Sequence, residues 1–224
     1  MILLLETATD ICSIGISRGR ELLGLVEIGD RADHAARINE LILRVCAQAG
    51  CKLTDLDAVA ISQGPGSYTS LRVGLATAKG ICFALNKPLI AVDTLTAIAK
   101  ASRQEENDKF LYCPMIDARR MEVYTAFFDA TFQRLKAPHP LIVDEETFAA
   151  YLEDGYQPVI AGNGAEKCRT VLPASIRYVE VRCSAGHLVE EAFNRFLKGQ
   201  FEDLAYFEPT YLKPPNVTKS KRRL

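Results

Sequence analysis

The order of strand and helix patterns occurs twice along this chain, and this repetition limits most strongly what the chain can fold into. In the first half, strand patterns at 1–6, 11–17 and 21–28 precede a helix, a strand, a glycine loop, a helix, a strand and a helix. The second half, from residue 110 onwards, follows the same order. Two halves with one plan predict two similar lobes.

The other segments carry ordinary signals for their element types. A helix predicted at 34–49 has apolar residues at helical spacing and ends at Gly50. A second helix, at 69–85, follows the loop Gly64-Pro65-Gly66-Ser67. The remaining predicted elements are strands at 58–61, 88–92, 110–116, 122–128, 132–143, 158–161 and 176–181, and helices at 93–102, at 144–152, after 162–164 and from 184.

The repeated unit begins with a three-strand meander, and we expect its later strands to add in parallel. This layout predicts an α/β protein with two ribonuclease-H-like lobes of the actin, hexokinase and Hsp70 type, the ASKHA fold. A polar stretch at 103–109 predicts the lobe boundary. The predicted division is a first lobe at 1–103, a second lobe at 104–212 and a basic tail at 213–224. The tail has two interpretations: its cations contact RNA phosphates, or it is a solvated terminus without a partner.

Composition excludes several classes of protein. With 48% hydrophobic and 25% charged residues, the 224-residue chain has the balance of a globular protein. Its net charge of −1 gives no global field for nucleic acid. Seven cysteines without a C-x-x-C motif indicate reduced, mostly buried thiols. The apolar run at 1–6 is too short for a signal peptide or a membrane span, so we predict a cytoplasmic protein without a membrane partner.

The glycine loop has two interpretations. The amide groups at the start of the following helix could bind an anion, which makes Glu6, Thr7, Gly64, Gly66 and Ser67 candidate phosphate or nucleotide contacts. Alternatively, the glycines meet the needs of a tight turn and Ser67 caps the helix. No Gly-Lys-Ser/Thr follows, so the loop is not a P-loop.

The acids at two strand ends, Glu6 and Asp117, stand where actin-like ATPases hold Mg²⁺ or position water. A nucleotide-binding ATPase or phosphotransferase of this class is therefore an alternative function. However, Ala118-Arg119-Arg120 follows Asp117 where phosphates would need a glycine pair. Ile38, not a second histidine, stands four residues after His34, so we predict no metal ligands and no catalytic residues, and a metallopeptidase-like protein has little support.

The helix predicted at 69–85 is rich in small residues. Each interior glycine costs about 1 kcal/mol relative to alanine, so close packing of another backbone should compensate. The packing partner is either the sheet of the same lobe or a helix of another subunit, and both can hold on different faces. The small residues are Gly74, Ala76, Ala78, Gly80 and Ala84.

Several motifs across the whole chain carry a family resemblance. They are Leu4-Leu5-Glu6-Thr7-Ala8-Thr9, His34 at a helix start, Gly64-Pro65-Gly66-Ser67-Tyr68-Thr69-Ser70-Leu71-Arg72-Val73-Gly74, Ile116-Asp117-Ala118-Arg119-Arg120-Met121-Glu122-Val123-Tyr124 and Glu208-Pro209-Thr210-Tyr211-Leu212. Together they resemble the TsaB family, formerly YeaZ, the tRNA threonylcarbamoyladenosine biosynthesis protein B family.

This resemblance implies a non-catalytic scaffold and activating subunit in the complex that forms threonylcarbamoyladenosine in tRNA. Its direct partner would be TsaD, with TsaE in the complex, tRNA contacted indirectly, and a homodimer when alone. It implies no cofactor of its own, with ATP or ADP only in the assembled complex. Pairing through the first-lobe helices gives the predicted partner-binding residues His34, Ile38, Leu41, Ile42, Val45, Leu71, Gly74, Leu75 and Ala78.

Overall fold

Two five-stranded mixed sheets form the framework in a computed structural model, which describes residues 1–29, 34–104 and 107–214. The first sheet has the order β3-β2-β1-β4-β5, and the second has β8-β7-β6-β9-β10. The two orders are the same when each sheet is numbered from its own first strand. The predicted duplication and fold class are therefore confirmed. Of the basic tail predicted at 213–224, everything after residue 214 lies outside the described residues.

The strands begin and end close to the predicted positions. Those of the first sheet are β1 (Ile2–Glu6), β2 (Cys12–Arg18), β3 (Glu21–Ile28), β4 (Ala58–Ser62) and β5 (Leu89–Val92). Those of the second sheet are β6 (Phe110–Asp117), β7 (Glu122–Phe128), β8 (Arg134–Ile142), β9 (Gln157–Ala161) and β10 (Arg177–Val179).

Strand directions follow the prediction in both sheets. The first three strands of each unit pair antiparallel, as β1 with β2 and β6 with β7. The fourth strand adds in parallel, β4 on β1 and β9 on β6, and the fifth continues in the same direction. Residues at or just after the carboxyl ends of β1, β4 and β6 line one cleft, and those at or just after the ends of β1, β6 and β9 line a second, as expected for crevices at switch points of such sheets.

Helices cover both sheets, and two of them differ from the predicted bounds. Asp144 and Thr147 bond to each other's side chain and backbone, so a local turn replaces the start of the helix predicted at 144–152. The helix predicted from Ser184 begins as a 3₁₀ turn, Ala185–Leu188. The helices are α1 (His34–Ala49), α2 (Tyr68–Leu85), α3 (Thr94–Ala101), α4 (Ala149–Glu153), α5 (Ala165–Cys168) and α6 (Val189–Leu197).

The last helix of each half of the chain packs on the sheet of the other half. Leu95 and Ile98 of α3 pack in one cluster with Phe110 and Tyr112 of β6, in the second sheet. In return α6 packs with the apolar side chains of β1, β4 and β5 in the first sheet. Lys100 of α3 and Glu191 of α6 join the two helices with an ion pair of 3.0 Å. The division at residue 103 stays a prediction, because the core is shared across it.

The opposite face of the first sheet is covered by α1 and α2, which pack side by side over β1, β2 and β4. Over the described ranges, no helix is both long and apolar enough to cross a membrane.

Candidate partner face and interlobe cleft

The nine residues predicted to bind a partner lie in the core of this chain. All of them are buried, and six of their side chains pack in the hydrophobic cluster of the first sheet: Ile38, Leu41, Ile42, Val45, Leu75 and Ala78. The family resemblance implied pairing through these two helices, but the apolar spacing of α1 is also the pattern by which an amphipathic helix packs on its own sheet. Their assignment to a partner surface is therefore corrected for His34, Ile38, Leu41, Ile42, Val45, Leu71, Gly74, Leu75 and Ala78. A partner can meet α1 and α2 only through side chains on their outer faces.

The outer face of α2 combines small residues with one large apolar side chain. Ala76, Gly80 and Phe83 follow one another at helical spacing, and all three are exposed. A Cβ atom built on Gly80 would meet nothing within 4 Å. Phe83 is 82% exposed at the end of this stripe. The surface is open enough for the backbone of another helix to approach closely.

Two further exposed apolar side chains lie on the segments that flank α2, and sequence patterns did not reveal them. Leu43 on α1 is 63% exposed. Tyr206 is 84% exposed on the segment after α6. That segment runs beside α2, since Lys79 donates a hydrogen bond to the carbonyl of Ala205 at 3.3 Å. We call these exposed residues of α1, α2 and the segment beside α2, namely Leu43, Ala76, Gly80, Phe83 and Tyr206, the helix face.

Gly74 has a different role from Gly80, because it faces inward. A Cβ atom there would overlap Thr7 Oγ1 and lie 3.1 Å from Thr7 Cγ2. It would also lie 3.3 Å from Ile61 Cδ1 of β4. The two interpretations of this helix therefore apply to its two faces: its own sheet explains Gly74, while Gly80 faces open space.

The glycine loop between β4 and α2 is explained by close backbone packing. Gly64 has a φ of 99°, and a Cβ there would lie 2.8 Å from the carbonyl oxygen of Thr210. A Cβ on Gly66 would overlap the carbonyl oxygen of Ala8, which accepts from Ser67 N–H at 2.7 Å. Ser67 also caps α2, with its Oγ accepting from the Ser70 amide.

A cleft of about 290 Å³ lies between the glycine loop and the β6–β7 turn. Of the predicted phosphate contacts, Gly66 and Ser67 line this cleft, whereas Glu6, Thr7 and Gly64 are buried outside its wall. The other side is formed by the β6–β7 turn and by residues 210–214, which include Arg119 and Lys213. Binding of a phosphate or nucleotide in this cleft stays a prediction.

Arg119 and Arg120 give the β6–β7 turn an unusual backbone. Both have positive φ, 73° and 50°, a region that side-chain-bearing residues rarely adopt. The Ala118 amide donates to the Glu122 carbonyl at 3.1 Å, which closes the turn. Asp117 accepts from the Arg119 amide at 2.9 Å and is ion-paired with Lys167. Its carboxylate is therefore already engaged by groups of its own lobe.

Residues 208–214, which we call the strap, cross from the first lobe to the second. The Thr210 amide donates to the Gln63 carbonyl at 2.7 Å. The Tyr211 ring lies 4.7 Å from that of Tyr68, and its hydroxyl accepts from Arg72 Nε at 3.2 Å. Beyond it, Lys213 bonds to both carboxylate oxygens of Glu122 at 2.5 and 2.6 Å. These contacts tie both lobes to one segment beside the cleft.

Glu6 ends β1 in the interior of the protein. Its Oε1 accepts from the Ala8 amide at 2.6 Å, and Ser62 contributes a second hydrogen bond. Burial raises the pKa of this carboxyl to about 7, and the two hydrogen bonds lower it only in part. The carboxyl is thus held by hydrogen-bond donors of its own lobe.

A second cleft, of about 740 Å³, lies on the other side of Asp117. Its lining includes the carboxylates of Asp10, Glu166 and Glu180 beside Arg182. Within the described parts of the chain, no three His, Cys, Asp or Glu side chains come together as a metal site. His34 is buried at the start of α1, where its Nε2 lies 3.1 Å from the carbonyl oxygen of Asp10.

The family model and several curated relatives that match this chain carry names from threonylcarbamoyladenosine formation in tRNA. A family model described as TsaD, tRNA N6-adenosine threonylcarbamoyltransferase, matches residues 29–216. The protein named TsaB, for tRNA threonylcarbamoyladenosine biosynthesis, from Haemophilus influenzae is 37% identical over 126 residues. That match covers 55% of this chain and 51% of the relative. The chain thus spans about half the length of the curated relatives it matches.

Solved structures support the fold. YeaZ from Pseudomonas aeruginosa superimposes with a TM-score of 0.77 at 24% identity, covering 94% of this chain and 99% of that one. The activator of 2-hydroxyisocaproyl-CoA dehydratase from Clostridium difficile, solved with bound ADPNP, has a TM-score of 0.50 at 9% identity. It covers 89% of this chain and 96% of its own. At these identities the likeness concerns the fold alone.

The family model covers far more than half of the chain, and the curated similarity is to TsaB, the family that the motifs resemble. The chain therefore belongs to the family described as TsaD, tRNA N6-adenosine threonylcarbamoyltransferase, and its resemblance to TsaB is confirmed.

Proposed function

We propose that this chain is a non-catalytic scaffold and activating subunit that pairs with TsaD in the complex forming threonylcarbamoyladenosine in tRNA. The observation that carries the proposal is the helix face. It presents an uncovered small-residue stripe ending in Phe83, on a chain that belongs to this family. A partner with the same architecture would bring two equivalent helices of its own to such a surface.

The chemistry of the helix face suits a helix–helix contact. Small residues such as Ala76 and Gly80 let two backbones approach closely, which increases dispersion contacts along the helices. Phe83 and Tyr206 can bury large areas against a partner, and aromatic side chains are common anchors of interfaces. Leu43 extends the apolar area onto α1. The buried residues of α1 and α2 contribute by holding the two helices in place on the sheet.

The state of the carboxyl groups supports a non-catalytic role. Asp117 is paired with Lys167, and Glu6 is buried and hydrogen-bonded inside its own lobe. Arg119 and Arg120 fill the β6–β7 turn with two long cations, where close approach of phosphates would need small residues. We therefore assign the reaction to the partner and the support of its active conformation to this chain.

The wider assembly is part of the same proposal. TsaE belongs to the same complex, and tRNA contacts the complex mainly through the partner. Any ATP or ADP belongs to the assembled complex. Without TsaD, we expect two copies of this chain to cover their helix faces against each other as a symmetric homodimer in the cytoplasm.

The direct test is reconstitution with purified TsaD, TsaE and unmodified tRNA, with the threonylcarbamoyl adenylate supplied. We expect a complex of this chain with TsaD in size-exclusion chromatography, and modified tRNA only when this chain is present. Absence of a complex, together with undiminished modification when this chain is omitted, would refute the proposal.

The location of the contact is tested by two matched variants. Phe83→Asp places a charge in the helix face and should weaken the complex by roughly tenfold or more, the loss typical of an anchor residue. Ile142→Asp changes an apolar side chain that is 70% exposed, at the end of β8 in the other sheet, and should leave binding unchanged. Equal binding by both folded variants would move the contact away from the helix face while leaving the pairing itself intact.

A nucleotide-binding ATPase or phosphotransferase remains the second candidate, because a cleft with Ser67, Arg119 and Lys213 on its walls lies between the lobes. Calorimetry of the isolated chain with Mg-ATP discriminates the two. Heat of stoichiometric binding, followed by phosphate release from the chain alone, would favour this candidate over the scaffold.

A further inference from the structure

Two of the seven cysteines lie next to each other at the end of α1. Cys46 is in the last turns of the helix, and Cys51 follows the turn that ends it. The Cys51 amide donates to the Cys46 carbonyl at 3.0 Å, and the Gly50 amide donates to the Ala47 carbonyl at 3.3 Å. Gly50 has a φ of 62°. This pair of bonds with a left-handed glycine is the Schellman motif.

The motif brings the two thiol-bearing residues together. In a Schellman motif, the residue after the glycine commonly packs against the residue five positions earlier, and here these positions are Cys51 and Cys46. Both contact the same hydrophobic cluster of the first lobe. Burial raises the pKa of the Cys46 thiol to about 11, with the neighbouring Cys51 thiol as the next cause. The packing contact explains their positions but not why both residues carry sulfur.

The pair differs from the other cysteines in its access to solvent. Cys46 is buried, while Cys51 is partly exposed. The remaining five cysteines, Cys12, Cys82, Cys113, Cys168 and Cys183, are all buried. One sulfur can therefore meet an oxidant, and the other lies behind it as a resolving thiol.

We propose that Cys46 and Cys51 form a reversible dithiol–disulfide site, with glutathione disulfide as its oxidant class. The Cys51 thiolate attacks one sulfur of glutathione disulfide, which forms a mixed disulfide and releases the first glutathione thiolate. Cys46 loses its proton and attacks the Cys51 sulfur, which forms the Cys46–Cys51 bond and releases the second glutathione. The two thiols lose two electrons and two protons, and glutathione disulfide is reduced to two glutathione molecules.

The test uses the full chain, purified in reductant and then incubated in buffers of graded glutathione to glutathione disulfide ratio. After alkylation, cleavage at Arg44 and Lys52 releases both cysteines in the peptide 45–52. We expect this peptide to carry two alkyl groups after reducing buffer and none after oxidising buffer, where its mass is that of the free dithiol less two hydrogen atoms. Reduction before alkylation should restore both alkyl groups. In oxidising buffer the other five cysteines should lose their free thiols roughly tenfold more slowly than the peptide 45–52, so they should still be alkylated.

Two variants separate the roles of the sulfurs. Cys46→Ser should accumulate a glutathione adduct on Cys51, since no thiol remains to displace it. Cys51→Ser should keep Cys46 reduced. Circular dichroism checks that both variants are folded. An unchanged wild-type peptide under oxidising buffer, or a wild-type glutathione adduct without the internal bond, would overturn the proposal. Oxidation of all cysteines at one rate would also overturn it, because it would mean that the site has no preference.

Discussion

Two glycines in one helix should respond oppositely to the same substitution. Gly74 and Gly80 both lie inside α2, so alanine at either position gains about 1 kcal/mol of helix propensity. At Gly80 the new methyl group meets nothing within 4 Å, so this gain should remain. At Gly74 the methyl overlaps Thr7 Oγ1 and lies 3.3 Å from Ile61 Cδ1, so buried atoms have to move.

The size of the difference follows from the packing at Gly74. Overfilling a well-packed core costs about 1–3 kcal/mol, and Thr7 is fully buried beneath α2. Subtracting the propensity gain of about 1 kcal/mol leaves Gly74→Ala destabilised by roughly 0–2 kcal/mol. Gly80→Ala should be stabilised by up to about 1 kcal/mol. For a chain of this length the two melting temperatures should differ by roughly 2–12 °C, with Gly80→Ala the more stable variant.

The assay is urea unfolding followed by circular dichroism, because the chain has no tryptophan. Several protein concentrations separate folding from self-association of the helix face. The midpoints should shift without a change in the m-value. Thr7→Ala removes the clashing atoms, so adding it to Gly74→Ala should restore most of the lost stability, whereas adding it to Gly80→Ala should not. Equal stabilities of the two glycine variants, or no rescue by Thr7→Ala, would refute this account of α2.

Three other perturbations have defined outcomes. Burial raises the pKa of Glu6 from 4.5 to about 7, so between these two pH values the folded state binds more protons than the unfolded state. The free energy of unfolding should therefore fall by about 3 kcal/mol as the pH rises from 4.5 to about 7. Glu6→Gln should flatten this profile in pH-dependent urea unfolding, whereas the exposed Glu21→Gln should follow wild type. Asp93→Ala removes the side chain that caps α3 by accepting from the Thr96 amide at 2.7 Å, so calorimetry should show a loss of about 1 kcal/mol; an unchanged melting temperature would contradict the capping role. Tyr211→Ala should leave the global melting temperature nearly unchanged but speed proteolysis of the strap, and unaltered cleavage would show that other contacts hold it.

The helices α1 and α2 show what residue patterns could and could not predict about burial. Apolar spacing correctly marked the buried side of α1, as at Ile38 and Leu41. It could not say what buries that side, because an amphipathic pattern is the same for a helix that meets its own sheet and for one that meets another protein. Phe83 directly follows the apolar residues Ile81 and Cys82, and only the tertiary structure shows that Cys82 is buried while Phe83 is exposed.

The candidate site shows the same division. The motif Gly64-Pro65-Gly66-Ser67 correctly indicated a tight turn into a capped helix, since these glycines and this serine have local backbone roles. The strap contacts of Tyr211 and Lys213 join residues more than ninety positions apart in the chain, and no local pattern carries such information. The Schellman contact of Cys46 with Cys51 is local. The difference in solvent access between the two cysteines, however, depends on the lobe around them.

The sequence by itself determined the repeated order of elements, the direction of the strands and the family, because these depend on local periodicity and on motifs that lie within one stretch of chain. Only the tertiary structure decided that α3 and α6 exchange sheets, that Gly74 and Gly80 face opposite environments, and that the helix face is formed by residues outside the apolar stripe. These features arise from contacts between distant segments, where burial is set by what packs against a residue and not by the residue itself.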